Sequence, residues 1–219
     1  MPTHPTNRAA PMAPDDRRAA IVEAVLPLVA ERGTDVTSRE LADAAGVAEG
    51  TLFRAFGDKS TLVATVASEG LSRAASPART RAEIAAIDLE LPLADRLARV
   101  VEAGRSRAGD VMRWLAVLRR LAMAMPTSPE GHEGVRTMRR RLMEQRAAQR
   151  AAMIAGVESL LAPDTDRLRV PVDVAVALLE AAISGTHGHV DPSLPVPSAA
   201  VVADALVHGI VTTPETPEV

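Results

Sequence analysis

Residues 37–62 read T-S-R-E-L-A-D-A-A-G-V-A-E-G-T-L-F-R-A-F-G-D-K-S-T-L, and this stretch decides the fold. Thr37 can cap the free amides of a helix start, and Glu40, three residues on, can reach back to the Thr37 amide to complete a capping box. The helix so opened stops at Gly46, which can take the left-handed conformation that a tight turn needs. A second short helix runs from about Ala48 to Phe56, and Asp58 can cap a third that extends to about Ala75. Leu41 and Ala45 on one helix and Leu52 and Phe56 on the next face inward, with Val47 filling the angle between them, the pattern of a helix-turn-helix. The outward face then carries Glu49, Gly50, Thr51, Arg54 and Ala55. Only Glu49 and Arg54 are long, so this helix can sink into a major groove while Arg54 meets a guanine edge or a phosphate. The same pattern also suits an ordinary three-helix packing unit, because a fold does not by itself prove a function.

Upstream, a helix is expected to start after Asp15 or Asp16 and to place Ile21, Ala24, Val25 and Leu28 on one face before Gly33 stops it, with a bend at Pro27. Residues 1–15 hold four prolines and read as a flexible arm, and 213–219 read as a flexible tail. Beyond a Ser-Pro break, helical period continues over roughly Leu93 to Arg107, Val111 to Met125, Glu133 to Leu161, Val172 to His187 and Ala199 to Ile210. No stretch alternates like a strand. The expectation is an all-α chain with an N-terminal helix-turn-helix domain over 16–70 and a second helical domain, for ligand binding and dimerisation, over 71–212.

Composition narrows the classes. Of 219 residues 47% are apolar, enough for a core, yet there are two Phe, one Trp and no Tyr. Such a core must be built by close approach of slim helices. The lack of Cys excludes disulfides, thiolate metal sites and cysteine nucleophiles. No apolar run suits a signal peptide or a membrane span, so a cytoplasmic protein is expected. Net charge is −3, and residues 1–60 carry seven Lys or Arg against nine Asp or Glu. Any contact with nucleic acid must therefore come from the placement of a few cations rather than from overall charge.

The stretch quoted above, together with the E-R-G at 31–33 that closes the preceding helix, resembles the TetR family of bacterial transcription regulators. That resemblance implies a double-stranded DNA operator, a homodimer and a small effector molecule as partners, with repression as the habitual outcome. It places Thr37 and Lys59 on phosphates and Thr51 and Arg54 on bases, within a DNA-binding set that also includes Arg39, Glu49, Gly50 and Phe53. Three residues depart from the family pattern: Phe53 stands where Tyr is frequent, Ala48 replaces a Ser or Thr cap, and Ala55 replaces His or Tyr. Each loss is on the order of 1 kcal/mol, which leaves DNA binding leaning on Arg54, Lys59 and arginines of the arm such as Arg8 or Arg17.

In the second domain, Val174 to Ile183 is apolar on nearly every side apart from Glu180, and Ala199 to Val207 apart from Asp204. A helix apolar all round is buried on both faces, either in a two-fold bundle with its copy or in an internal core. The two-fold reading puts Val176, Leu179, Ile183, Val202 and Leu206 at the seam. Between Glu133 and Leu161 one stripe runs Met138, Leu142, Gln145, Gln149, Met153, Gly156 and Leu160. Two glutamines in an apolar stripe are either satisfied within a solid core or line a cavity for a largely apolar effector. Trp114, Leu118 and Leu121 on the preceding helix complete the expected pocket. His187, His189, Asp191 and Ser184 form no rigid ligand set, and no catalytic constellation or nucleotide loop occurs. No enzyme activity, metal or cofactor is expected. A regulator without an effector, or an all-α enzyme or scaffold, are the alternative functions.

Overall fold

The computed structural model describes residues 13–124, 129–185 and 196–210, with backbone alone at 129–139, 141, 142 and 210. Among them there are nine α-helices and no strand, in agreement with the all-α expectation. None of these helices is long and apolar enough to cross a membrane.

The first helix, α1 (Pro14–Arg32), starts one residue before the acids expected to cap it. Proline at the first helical position has its φ already set and lacks an amide that would have no partner there. Asp15 and Asp16 sit instead in the first turn, where negative charge complements the helix dipole. Next come α2 (Ser38–Ala45) and α3 (Glu49–Phe56), and then α4 (Lys59–Ala74), in whose first turn the Thr61 amide donates to Asp58 Oδ1 at 2.7 Å.

Two departures follow. The Ser-Pro break is itself a helix start: Ser76 caps α5 (Pro77–Ala85), accepting from the Arg79 amide. The two helices expected over 93–125 are one, α6 (Leu93–Ala124). A single Gly109 costs such a helix only about 1 kcal/mol, and Asp110 is tied to Arg113 at 3.0 Å and to Arg79 at 3.5 Å. The remaining helices are α7 (Pro129–Leu161), α8 (Val172–Ser184) and α9 (Ala199–Ile210).

The chain divides into two compact units. The head comprises 1–70 and 114–125, the body 71–113 and 126–219. The last twelve residues of the head thus come from far down the chain.

In the head, α1 packs on α2 and α3. Val25, Val29, Val36, Leu41, Leu52 and Val63 are buried there. Trp114 is 5% exposed, and its indole occupies the space beside Gly70 so fully that a Cβ on Gly70 would lie 2.2 Å from Trp114 Cε2. In the body, Ile84, Leu97, Val100, Val157, Leu161 and Leu179 belong to one buried cluster. Its helices also meet through glycines: Gly156 faces Ile84, and Gly104 faces Ile183, where a Cβ would come within 2.8 and 2.7 Å respectively.

The body also buries charge. The Arg96 guanidinium, 3% exposed, donates to the Leu160 carbonyl at 2.5 Å and pairs with Asp164, which also receives Arg167 at 2.6 Å. Arg107 pairs with Glu83, which Arg79 holds from the other side at 2.7 Å.

The Gly70 cradle yields a test. Replacing Gly70 by Ala forces a rigid ring aside, with an overpacking cost of about 1–3 kcal/mol that the better helix propensity of Ala, about 1 kcal/mol, offsets only in part. Thermal unfolding should show G70A below wild type and the double variant G70A/W114L above W114L alone. Equal stability of G70A and wild type would refute the cradle.

Candidate nucleic-acid interface and body cleft

The turn between α2 and α3 is built from local chemistry. Thr37 Oγ1 accepts from the Glu40 amide at 3.2 Å, while Glu40 Oε2 accepts from the Thr37 amide at 2.8 Å and from its hydroxyl at 2.9 Å. Arg32 pairs with the other Glu40 oxygen. The Thr37 bonds, backbone first, and then Arg32 hold the Glu40 carboxyl below the ordinary value. Gly46 ends α2 at φ 64° and ψ 31°, the left-handed conformation, and the amides of Gly46 and Val47 return to carbonyls of Asp43 and Ala42. Leu52 and Phe56 are buried, Thr51 is half-buried, and Glu49, Gly50, Phe53 and Arg54 are exposed.

Beneath this face Arg18 of α1 donates to the Ala55 carbonyl at 2.8 Å, and its guanidinium carbon lies 5.9 Å from the Phe56 ring centroid. Sequence reasoning looked to Arg8 and Arg17 and passed over Arg18. Residue 8 lies outside the described residues. Lys59 donates to the Val36 carbonyl at 2.7 Å and to the Thr34 carbonyl at 3.3 Å. In this structure it therefore pins the turn ahead of α2, with one donor of its ammonium left over. Arg39 is exposed, with Asp43 at 4.0 Å. The exposed face of α3 thus offers one cation, Arg54, beside Glu49, Gly50 and Phe53.

The body holds a cleft of about 540 Å³. From α7 it receives Arg146, Gln149, Arg150 and Met153, at steps of three and four that keep one side of a helix. From α6 come Gly104, Arg107, Ala108, Val111 and Met112, and from α8 Glu180, Ile183 and Ser184. Arg150 and Glu180 form a two-pronged pair at 2.8–3.1 Å.

Of the eight residues expected in a pocket, Gln149 and Met153 line this cleft. Gln145 does not: its amide donates to the Ser72 carbonyl at 2.9 Å. Trp114 is buried in the head, where Leu118 and Leu121 also belong, half-buried. The side chains of Met138 and Leu142 lie outside the described residues. Arg146, Arg150 and Glu180, which also line the cleft, were not among the residues expected there.

The five residues expected at a dimer seam are placed in the body's own core instead. Val176, Leu179 and Ile183 are buried members of its central cluster, and Val202 and Leu206 pack against it. What α8 and α9 leave outside is a different apolar stripe: Val174 is 40%, Leu178 41% and Val201 60% exposed. The residues 187, 189 and 191 weighed as metal ligands lie outside the described residues, and no group of three candidate ligands occurs among the described ones.

Comparison with known proteins places this architecture. Residues 21–66 match the model of the bacterial regulatory proteins, tetR family. Among solved structures, the chain is similar to a Rhodococcus protein assigned as a transcriptional regulator, at 20% identity over 87% of this chain and 94% of that one, with a TM-score of 0.51. A Mesorhizobium loti protein assigned to the TetR family is similar at 16% identity over 92% and 100%, TM-score 0.50. NalD of Pseudomonas aeruginosa, the secondary repressor of the MexAB-OprM multidrug efflux pump, is 25% identical over 90% and 98%, TM-score 0.48. No curated protein matches. The head thus defines a helix-turn-helix protein. More particularly, the chain carries the TetR-family N-terminal domain, as the residues at 37–62 suggested.

The capping box predicts an acid response. Because the folded Glu40 carboxyl is held below its ordinary value, its contribution is complete above the ordinary carboxylate range and vanishes as pH falls through the lowered folded value. Thr37→Ala should lower stability by about 1 kcal/mol at neutral pH and flatten the acid limb of the unfolding-temperature profile. An unchanged acid limb would count against the box.

Proposed function

We propose that this protein is a cytoplasmic, homodimeric transcription regulator that reads a palindromic operator with α3 and releases it when the body cleft is filled. The observation that carries the reading is the exposed face of α3, with Arg54 as its single cation, behind the left-handed turn at Gly46. That is the geometry that enters a major groove, and a guanidinium there can bond both acceptors of a guanine. Repression fits the family resemblance, and the same DNA-reading head serves either sign of regulation.

The apolar stripe of Val174 and Leu178 on α8 and Val201 on α9 supports a two-fold seam, since Ala177, Ala181 and Ala205 between them are small and exposed and let helices approach closely. The cleft supports effector binding by its volume and its mixed polar and apolar walls. Because α6 contributes residues to both the cleft and the head, a guest that displaces it acts on both. Lys59 keeps its place in the interface through the donor it has left.

Two measurements test the reading. An operator selected from random duplexes should be bound tightly by wild type and about tenfold more weakly by Arg54→Ala, corresponding to the loss of one base contact of about 1–3 kcal/mol, with non-specific binding little changed. If R54A discriminates as well as wild type, α3 is not the reader. Leu178→Arg should give a folded monomer by light scattering, whereas Leu179→Glu, in the chain's own core, should unfold the body. A dimer that persists in L178R would move the seam elsewhere.

A further inference from the structure

The charges of the cleft can be followed one by one. Arg107 is buried and paired with Glu83, and Arg150 is paired with Glu180. Arg146 lines the same cleft and has no ion-pair or hydrogen-bond partner among the described residues. One positive charge therefore remains. It is flanked one turn along α7 by the half-buried Gln149, whose amide likewise has no partner there. Of the rest of the lining, Arg107, Arg150 and Glu180 are taken up in ion pairs, Thr80 and Ser184 bring small hydroxyls, and Val111, Met112, Met153 and Ile183 are apolar. The thioethers adapt to irregular shapes, and a guanidinium suits a planar carboxylate through two parallel bonds.

We propose that the effector is a small organic monoanion with an apolar body, its anionic group held by Arg146 and the Gln149 amide and its body lying along Val111, Met112 and Met153. This rests on the reading of the cleft as the effector site. It also narrows the expectation of a largely apolar guest, because a guest with no anionic group would leave the Arg146 charge and the half-buried Gln149 amide unused. A cation would find both available carboxylates, Glu83 and Glu180, already engaged by arginines.

Three ten-carbon probes separate the classes: decanoate, 1-decanol and decyltrimethylammonium, titrated by calorimetry into the full-length protein. Decanoate should bind at least tenfold more tightly than decanol. Arg146→Gln, at an exposed position that does not threaten folding, should weaken decanoate at least tenfold and leave decanol unchanged. Ala108→Trp, which fills the cleft, should abolish binding of both; Met112→Trp, at a half-exposed position, serves where A108W fails to fold. The proposal is overturned if decanol or the ammonium binds as tightly as decanoate, if R146Q leaves decanoate unaffected, or if none of the three binds. Decanoate binding that survives both tryptophan variants would instead overturn the cleft reading beneath it.

Discussion

The contact between Trp114 and Gly70 shows the constraint under which this protein is built. With one Trp, two Phe and no Tyr, the chain has little large apolar surface. Its helices gain dispersion and burial by touching closely, at positions where one partner has no side chain. The same solution recurs at Gly156 against Ile84 and at Gly104 against Ile183. An aromatic ring can bury 150–250 Å², and here the one indole is placed where it joins α6 to the end of α4 within the head.

Local chemistry was legible in the sequence and tertiary choice was not. The capping box at Thr37 and Glu40, the turn at Gly46 and the cap at Asp58 all appear as expected, because each depends on residues within four positions of one another. Gly109 and Asp110 read locally as a break, yet α6 runs through them, held by a local pair from Asp110 to Arg113 and by one to Arg79 that only the fold brings together. In α8 both the Val176 stripe and the Val174 stripe are apolar, so periodicity cannot say which one turns inward; packing decides for Val176, Leu179 and Ile183. Gln145 and Gln149 are one helical turn apart and look alike in sequence. One finds the Ser72 carbonyl, the other a cleft.

Arginine serves a purpose in the body that lysine could not. Arg96 uses separate nitrogens for a carbonyl and a carboxylate at once, fastening the start of α6 to the end of α7. A planar fork allows this double engagement where a point charge on a flexible stem does not. Buried pairs of this kind add little net stability compared with apolar packing, but breaking one leaves a charge stranded. They therefore restrict how α6 and α7 can be aligned. The only Lys of the chain lies in the head, where a single ammonium gathers the carbonyls of Thr34 and Val36.

The head's dependence on residues 114–125 has a consequence for synthesis. Trp114 emerges from the ribosome 44 residues after Gly70. At translation rates of about 5–20 residues per second, the space beside Gly70 stays unfilled for roughly 2–9 seconds, and longer once the exit tunnel is counted. During that interval the helix-turn-helix segment exists without the helix that completes its core, and the N-terminal seventy residues cannot finish folding as a unit until the first part of the body, 71–113, has been made. By the same logic, moving this head onto another protein requires two separate pieces of sequence, one of them taken from the middle of the chain.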